Sequence, residues 1–350
     1  MVSVKELATL DRRRFLKYAG AGVAVAGTAA LGLAGYSLRE QSSPISQRTS
    51  STIASSSVMT PARRSTTASV YKPNKVIDTN SHLMPGLEAD KLLSIIDRAG
   101  VQRTVLFPRH GSNDSDTLSV YNKYPERILP YIGFQNKDWL TQKSIFIPYI
   151  ENQLKSGKFA GLGEVLLRHY AVPTRDAEDY NIPANGEIAL QVFAIAANHD
   201  IPVTVHLEAE KVTIPQFEEA MQKNPKTHFV WVAEGRADFV TLKRLLNTYS
   251  NLYCDIAGMD TLRSYGLEKN PIIDVNTGKP FQEWADIFVA NYNRFLFGTN
   301  TVFLDQFDMY ADFVNFHVNL MNQIDGNTND MINAYFYDNA TKLLSTYLNK

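Results

Sequence analysis

Val76-Ile77-Asp78-Thr79-Asn80-Ser81-His82 decides how the rest of the chain is read. A short apolar run passes into polar residues, and on a strand residues two apart share a face. Asn80 and His82 therefore project together from the strand's C-terminal end. Two imidazoles at that spacing are a frequent start to a metal site, because both rings reach one ion from a rigid backbone. Here one of the two is an amide. The remaining chain has to show whether the other parts of such a site exist and what stands in their place.

Outward from this stretch the pattern is regular. Short runs rich in β-branched residues at 75–79, 104–107, 128–132, 161–166, 202–206, 228–232, 252–255 and 295–298 read as strands. Amphipathic helical stretches lie between them at 88–99, 118–123, 143–155, 187–198, 216–223, 239–249 and 281–292, and 309–323 and 329–348 close the chain. Gly and Pro mark junctions such as Ala99-Gly100, Ile201-Pro202 and Asn224-Pro225. Eight strand-then-helix units within residues 71–350 predict a single closed (β/α)8 TIM barrel. A doubly wound open sheet is the alternative, but no Gly-rich phosphate loop follows the first strand.

The 350 residues are 44% hydrophobic with a formal net charge of -1, an ordinary globular balance that offers no pull on nucleic acid or an anionic membrane. A single cysteine, Cys254, excludes an internal disulfide framework and a thiolate metal cluster. Residues 1–36 stand apart from the fold. Asp11-Arg12-Arg13-Arg14-Phe15-Leu16-Lys17 resembles the twin-arginine export signature, and a Gly/Ala-rich, weakly apolar run follows it to Tyr36. Read as a plain anchor, that run is just long enough to span a bilayer but poor in large apolar residues. Residues 37–70 are Ser/Thr-rich and read as a disordered linker. The expected location is periplasmic or otherwise extracytoplasmic, free or tethered to the membrane with the barrel outside.

In a barrel of this kind, chemistry sits at the C-terminal strand ends. Those ends carry Asn80 and His82, then Glu164 in Gly161-Leu162-Gly163-Glu164-Val165, His206, the run Trp231-Val232-Ala233-Glu234-Gly235-Arg236, and Gly298-Thr299-Asn300. Taken singly, each is more often a hydrogen-bonded structural residue or a solvated loop carboxylate. Their joint occurrence on strands one, four, five and eight is what points to a site.

The pattern resembles the amidohydrolase superfamily, in the amidohydrolase-related branch that includes decarboxylases and lactonase-like hydrolases. The resemblance runs from Lys75 to about Leu344 through the stretches just quoted, Asn251-Leu252-Tyr253-Cys254-Asp255, and the closing Asn339-Ala340-Thr341-Lys342-Leu343-Leu344. It implies a divalent metal, zinc first, held by a His-x-His on strand one, a His on strand five and an Asp on strand eight. In some branches a strand-four carboxylate joins. By position His82, His206 and Glu164 match ligands. Asn80 stands for the first His, Asn300 for the Asp, and Ala233 (or Glu234, with a one-residue slip) for the strand-six His.

Those departures matter chemically. An amide oxygen is a weak zinc ligand, and Asn300 cannot take a proton from metal-bound water as the Asp is implied to do. Glu208 and Glu234 are the available substitute bases beside Glu164. Arg168 or Arg236 is a candidate to receive a substrate carboxylate through paired hydrogen bonds, with Arg109, Asn80 and Glu234 read as substrate-binding residues lining the same space. Arg236 is better read as the partner of Glu164, Glu208 or Glu234.

Three functions follow from this set. One is a metal-dependent hydrolase or lyase acting on a small carboxylate, ester or amide outside the cytoplasm. The second is a catalytically silent barrel that keeps its mouth as a small-molecule pocket and no metal. The third is metal-free acid/base catalysis by Glu164 with His82 or His206. The leader generates its own test. Changing Arg12 and Arg13 together to Lys is expected to leave the full-length protein in the cytoplasm, read by fractionation of the producing cells. Unchanged export would contradict the twin-arginine reading.

Overall fold

The computed structural model describes residues 70–171, 179–260, 262, 272–274 and 277–349. The export and linker readings for residues 1–69 lie outside the described residues. Eight strands follow one another in the sheet: β1 (Ile77–Leu83), β2 (Arg103–Pro108), β3 (Ile128–Ile132), β4 (Gly161–His169), β5 (Val203–Leu207), β6 (Phe229–Trp231), β7 (Leu252–Asp255) and β8 (Phe295–Leu296). Each pairs in parallel with the next. The longer helices between and after them are α1 (Ala89–Arg98), α2 (Asp114–Lys123), α3 (Phe146–Leu154), α4 (Glu187–His199), α5 (Thr213–Lys223), α6 (Phe239–Thr248), α7 (Gln282–Asn291) and α8 (Tyr310–Asn322).

The ring closes between β1 and the segment after β8. Thr79 N donates to Phe297 O at 2.9 Å, Asn300 N to Asn80 O at 2.7 Å, and His82 N to Thr301 O at 3.0 Å. The expected (β/α)8 barrel is what forms. Gly298 permits this closure, since a Cβ there would lie 2.8 Å from Asn80 Cβ.

Local chemistry explains the elements. All seven residues of β1 are buried, because one face looks into the barrel and the other onto the helices. In α1, Leu92, Leu93, Ile95 and Ile96 form the buried stripe at helical spacing. At the start of α2, the Asn113 side chain accepts from Ser115 N and Asp116 N while Asp116 accepts from Asn113 N, a reciprocal cap. This cap begins the helix at Asp114, four residues before the periodicity alone suggests. The domain also starts where composition changes: Tyr71 N donates to Asn322 Oδ1 at 2.8 Å and Tyr71 OH to Asn333 Oδ1 at 2.9 Å.

Three differences from the expected elements bear on the site. β1 runs to Leu83, past Thr79, so Asn80 and His82 lie within the strand and are fully buried. The sixth strand ends at Trp231, and Val232–Arg236 makes a tight turn with positive φ at Ala233, Glu234, Gly235 and Arg236. Gly235 is required there twice over, by its φ of 58° and by a Cβ position only 2.1 Å from Trp231 Cζ2. A two-residue strand, Tyr180–Asn181, pairs antiparallel with Arg168 and His169 and lengthens β4 beyond the barrel. Among the described residues no helix is long and apolar enough to cross a membrane.

Candidate active site

Glu164, on β4, is the hub. Its Oε1 lies 2.7 Å from His206 Nδ1 of β5, and its Oε2 lies 3.4 Å from His82 Nε2 of β1. The three residues anticipated as a cluster therefore meet at the barrel mouth. His206 extends the chain outward: its Nε2 is 3.3 Å from His169 Nδ1 and 3.5 Å from Glu208 Oε1, and Arg236 Nη1 donates to Glu208 Oε1 at 3.2 Å. The His82 side chain is 0% exposed and Glu164 4%, against 18% for His206, 14% for Glu208 and 33% for Arg236, so the cluster runs from core to surface.

The electrostatics follow from these contacts. Burial by itself would raise the Glu164 pKa, but the charge and hydrogen bond of His206, then His82 and Arg109, hold it down at about 2. Burial likewise opposes a charge on His206; the Glu164 carboxylate, its hydrogen bond and Glu208 outweigh that and raise it to about 9. Burial drives His82 the other way, to about 3, with Glu164 only partly offsetting it. Burial of Glu208 is overcome by His206 and Arg236, which lower its pKa. The resting site at neutral pH is thus a buried carboxylate, an imidazolium and a second carboxylate in line, with a neutral imidazole beneath.

Below this line lies a second polar layer that, among the described residues, is bonded by neutral donors. Asn80 Nδ2 donates to Asp255 Oδ2 at 3.1 Å, and Asp255 Oδ1 accepts from Ala233 N and Ala257 N at 2.8 and 3.1 Å. Asp78 accepts from Asn80 N, from Thr299 N and Oγ1, and from Tyr310 OH. Burial raises both carboxyls to about 6. Asp255 ends β7, where the strand-end rule looks for site residues, and only its place at that end marks it in a short apolar strand.

The other anticipated residues fall as follows. Asn300 contributes its backbone to barrel closure at a φ of 47°. Arg168 bonds Glu210 Oε1 at 2.7 Å and lies 3.8 Å over the Tyr170 ring, so its guanidinium serves the β4 extension. Arg109 sits 5.3 Å over the Phe303 ring and acts electrostatically on His82 and Glu164. Glu234 is buried at 2% exposure and accepts from Trp284 Nε1 of α7 at 2.9 Å, a structural setting for a residue expected to line the mouth. Arg236 pairs with Glu208, one of the three carboxylates considered for it.

A family profile described as Amidohydrolase matches residues 71–346, more than half of the chain. The chain belongs to the amidohydrolase family. Among solved structures, this amidohydrolase is similar in fold to an uncharacterized TIM-barrel protein from Bordetella bronchiseptica. That match has 14% identity and a TM-score of 0.55, covering 78% of this chain and 99% of that one. It is also similar to a probable 2-pyrone-4,6-dicarboxylic acid hydrolase from Acinetobacter baumannii with citric acid bound (15%, TM-score 0.54, 77% and 99%). A third is 2,6-dihydroxybenzoate decarboxylase from Rhizobium (12%, TM-score 0.52, 79% and 100%). No curated protein matches the chain.

Amidohydrolases generally bind a divalent metal, and the donor set here does not fit one. Asn80 offers a neutral amide already tied to Asp255, and His206 turns both nitrogens to other side chains, one of them a carboxylate at 2.7 Å. Among the described residues no group of three or more His, Cys, Asp or Glu is set out to hold an ion.

Glu234 yields a pH test. Burial raises its pKa to about 8, with the Trp284 bond opposing and Asp255 adding. Since the folded value lies above the ordinary one of 4.5, its favourable contribution is complete below about 4.5 and is lost as pH rises through about 8. Glu234→Gln is expected to show a smaller fall in Tm between about pH 6 and 9 than the natural protein, measured by calorimetry. Identical falls would contradict a buried neutral carboxyl.

Proposed function

We propose that this amidohydrolase acts outside the cytoplasm as a hydrolase or lyase on a small carboxylate-, ester- or amide-type molecule. In this reading the proton work belongs to His206 and Glu208, without a resident zinc ion. The observation that carries the reading is the bracketing of His206 between Glu164 at 2.7 Å and Glu208 at 3.5 Å. A ring with a carboxylate on each side is held as a proton donor, and its partial exposure puts one N–H within reach of a substrate.

The steps balance without any further reagent. Glu208 takes a proton from water as the water oxygen adds to the acyl carbon. His206 gives its Nε2 proton to the departing oxygen or nitrogen. Glu208 then returns the water's proton to His206 across their 3.5 Å contact. Glu164 keeps its negative charge throughout and positions the ring. Arg236 orients Glu208, and Arg109 supplies positive charge for a substrate carboxylate.

A second reading keeps the pocket and gives up turnover. The two amides Asn80 and Asn300, at positions where the resemblance implies an imidazole and a carboxylate, favour it. One set of measurements separates the readings. Protein purified without chelators is expected to carry well under one metal ion per chain by elemental analysis. Its hydrolysis of small esters and lactones is expected to fall ~10²-fold or more in both His206→Asn and Glu208→Gln. A stoichiometric metal lost in His82→Ala would contradict the metal-free proposal. Equal rates for the natural protein and both variants would leave only the binding reading.

A further inference from the structure

Beyond the C-terminal ends of β2 and β3 lies a cavity of about 80 Å³, lined by Asn113, Asp114, Gln135, Asn136 and Tyr149 with their neighbours. None of the residues lining it belongs to the Glu164 cluster. One water needs only ~10–15 Å³ of such space, so this cavity takes a fragment of several heavy atoms. Among the described residues that line it there is no lysine or arginine.

The main chain orients the three amides. Asn113 Oδ1 accepts from Ser115 N at 2.9 Å, Gln135 Oε1 from His110 N at 2.9 Å and Asn136 Oδ1 from Asp138 N at 2.7 Å. Each carbonyl oxygen is turned to a backbone N–H, so what each side chain has left to offer is its NH2 group. Among the described residues none of the three NH2 groups donates to a partner. Together they carry six N–H donors. Asp114 supplies the complement. It is 5% exposed, with Oδ1 accepting from Gly133 N at 2.8 Å and Oδ2 from Tyr149 OH at 2.5 Å. About two of the carboxylate's four lone-pair sites then remain.

This excess of donors over acceptors selects the ligand. An oxyanion would use the N–H groups but would lie beside the Asp114 carboxyl with no cation lining the cavity to offset the two. Burial already raises the Asp114 pKa, against the bonds from Tyr149 and Gly133, and an anion would raise it further. A primary amide brings as many donors as acceptors, whereas a hydroxyl brings one donor and two lone pairs. Two neighbouring hydroxyls therefore bring four lone pairs for the amide N–H groups and two protons for Asp114. The Tyr149 ring, stacked on Phe146 at 5.7 Å and 20°, adds an aromatic wall for the carbon face of a ring. We infer that this cavity is a second binding site, for the diol edge of a neutral sugar or polyol. It depends on neither reading of the barrel mouth.

Trans-1,2-cyclohexanediol and cyclohexanol differ by one hydroxyl and serve as probes, with methyl glucopyranoside as the sugar and sodium sulfate as the anion. Each is titrated into the full-length protein while the side-chain amide NMR signals of Asn113, Gln135 and Asn136 are followed. The diol and the glucoside are expected to shift all three signals saturably, and the diol to bind ~tenfold or more tightly than cyclohexanol. Gln135→Met is expected to weaken the diol ~tenfold or more, read on Asn113 and Asn136. The comparison on the natural protein needs no variant, so a misfolded Gln135→Met does not remove the test. Equal affinities for the diol and cyclohexanol would overturn the inference, leaving an unselective cleft. Shifts with sulfate and with neither the diol nor the glucoside would overturn it in favour of an oxyanion site. Amide signals unmoved by every probe would overturn the site itself, and none of these outcomes touches the roles given to His206 and Glu208.

Discussion

The Glu164 carboxylate sits in the mouth of the barrel with almost no access to water, and everything around it answers to that fact. A buried charge persists only with compensation. Compensation here comes from His206 at 2.7 Å, with His82 at 3.4 Å beneath and Arg109 acting from a distance. The His206 ring is itself held by a second carboxylate, Glu208, and through it by Arg236.

The same logic runs through the layer below. Asn80 is not simply a missing ligand. Its amide ties β1 to Asp255 of β7, its carbonyl receives Asn300 N to close the ring, and its backbone N–H supports Asp78. Asp78 and Asp255 lie fully buried, with neutral donors only among the described residues, and burial accordingly moves them towards protonation. Asn80 and Asn300, with Thr79, Phe297, His82 and Thr301, join the first strand to the segment after the last.

The barrel was legible because strand and helix periods alternate eight times, and His82, Glu164 and His206 were legible because strand-end position is a property of sequence order. What escaped has physical reasons. β1 runs four residues past Thr79 to Leu83, because polar residues that look like a strand's exposed finish are buried in it, with Asp78 and Asn80 received by Thr299, Tyr310 and Asp255. The turn after β6 places Ala233, Glu234 and Arg236 at positive φ, and only Gly235 announces such a backbone. That turn sends Glu234 to Trp284, a partner fifty positions away that no local pattern predicts. Arg168, expected to face a substrate, is held instead by the short strand Tyr180–Asn181 and Glu210.

Side-chain nitrogen NMR of the histidines at neutral pH, recorded before and after one equivalent of zinc, goes to the centre of this account. It predicts His206 protonated on both nitrogens and His82 neutral, with neither signal displaced by the added ion. Two neutral rings whose resonances shift together on adding zinc would show that the mouth is an ion site after all.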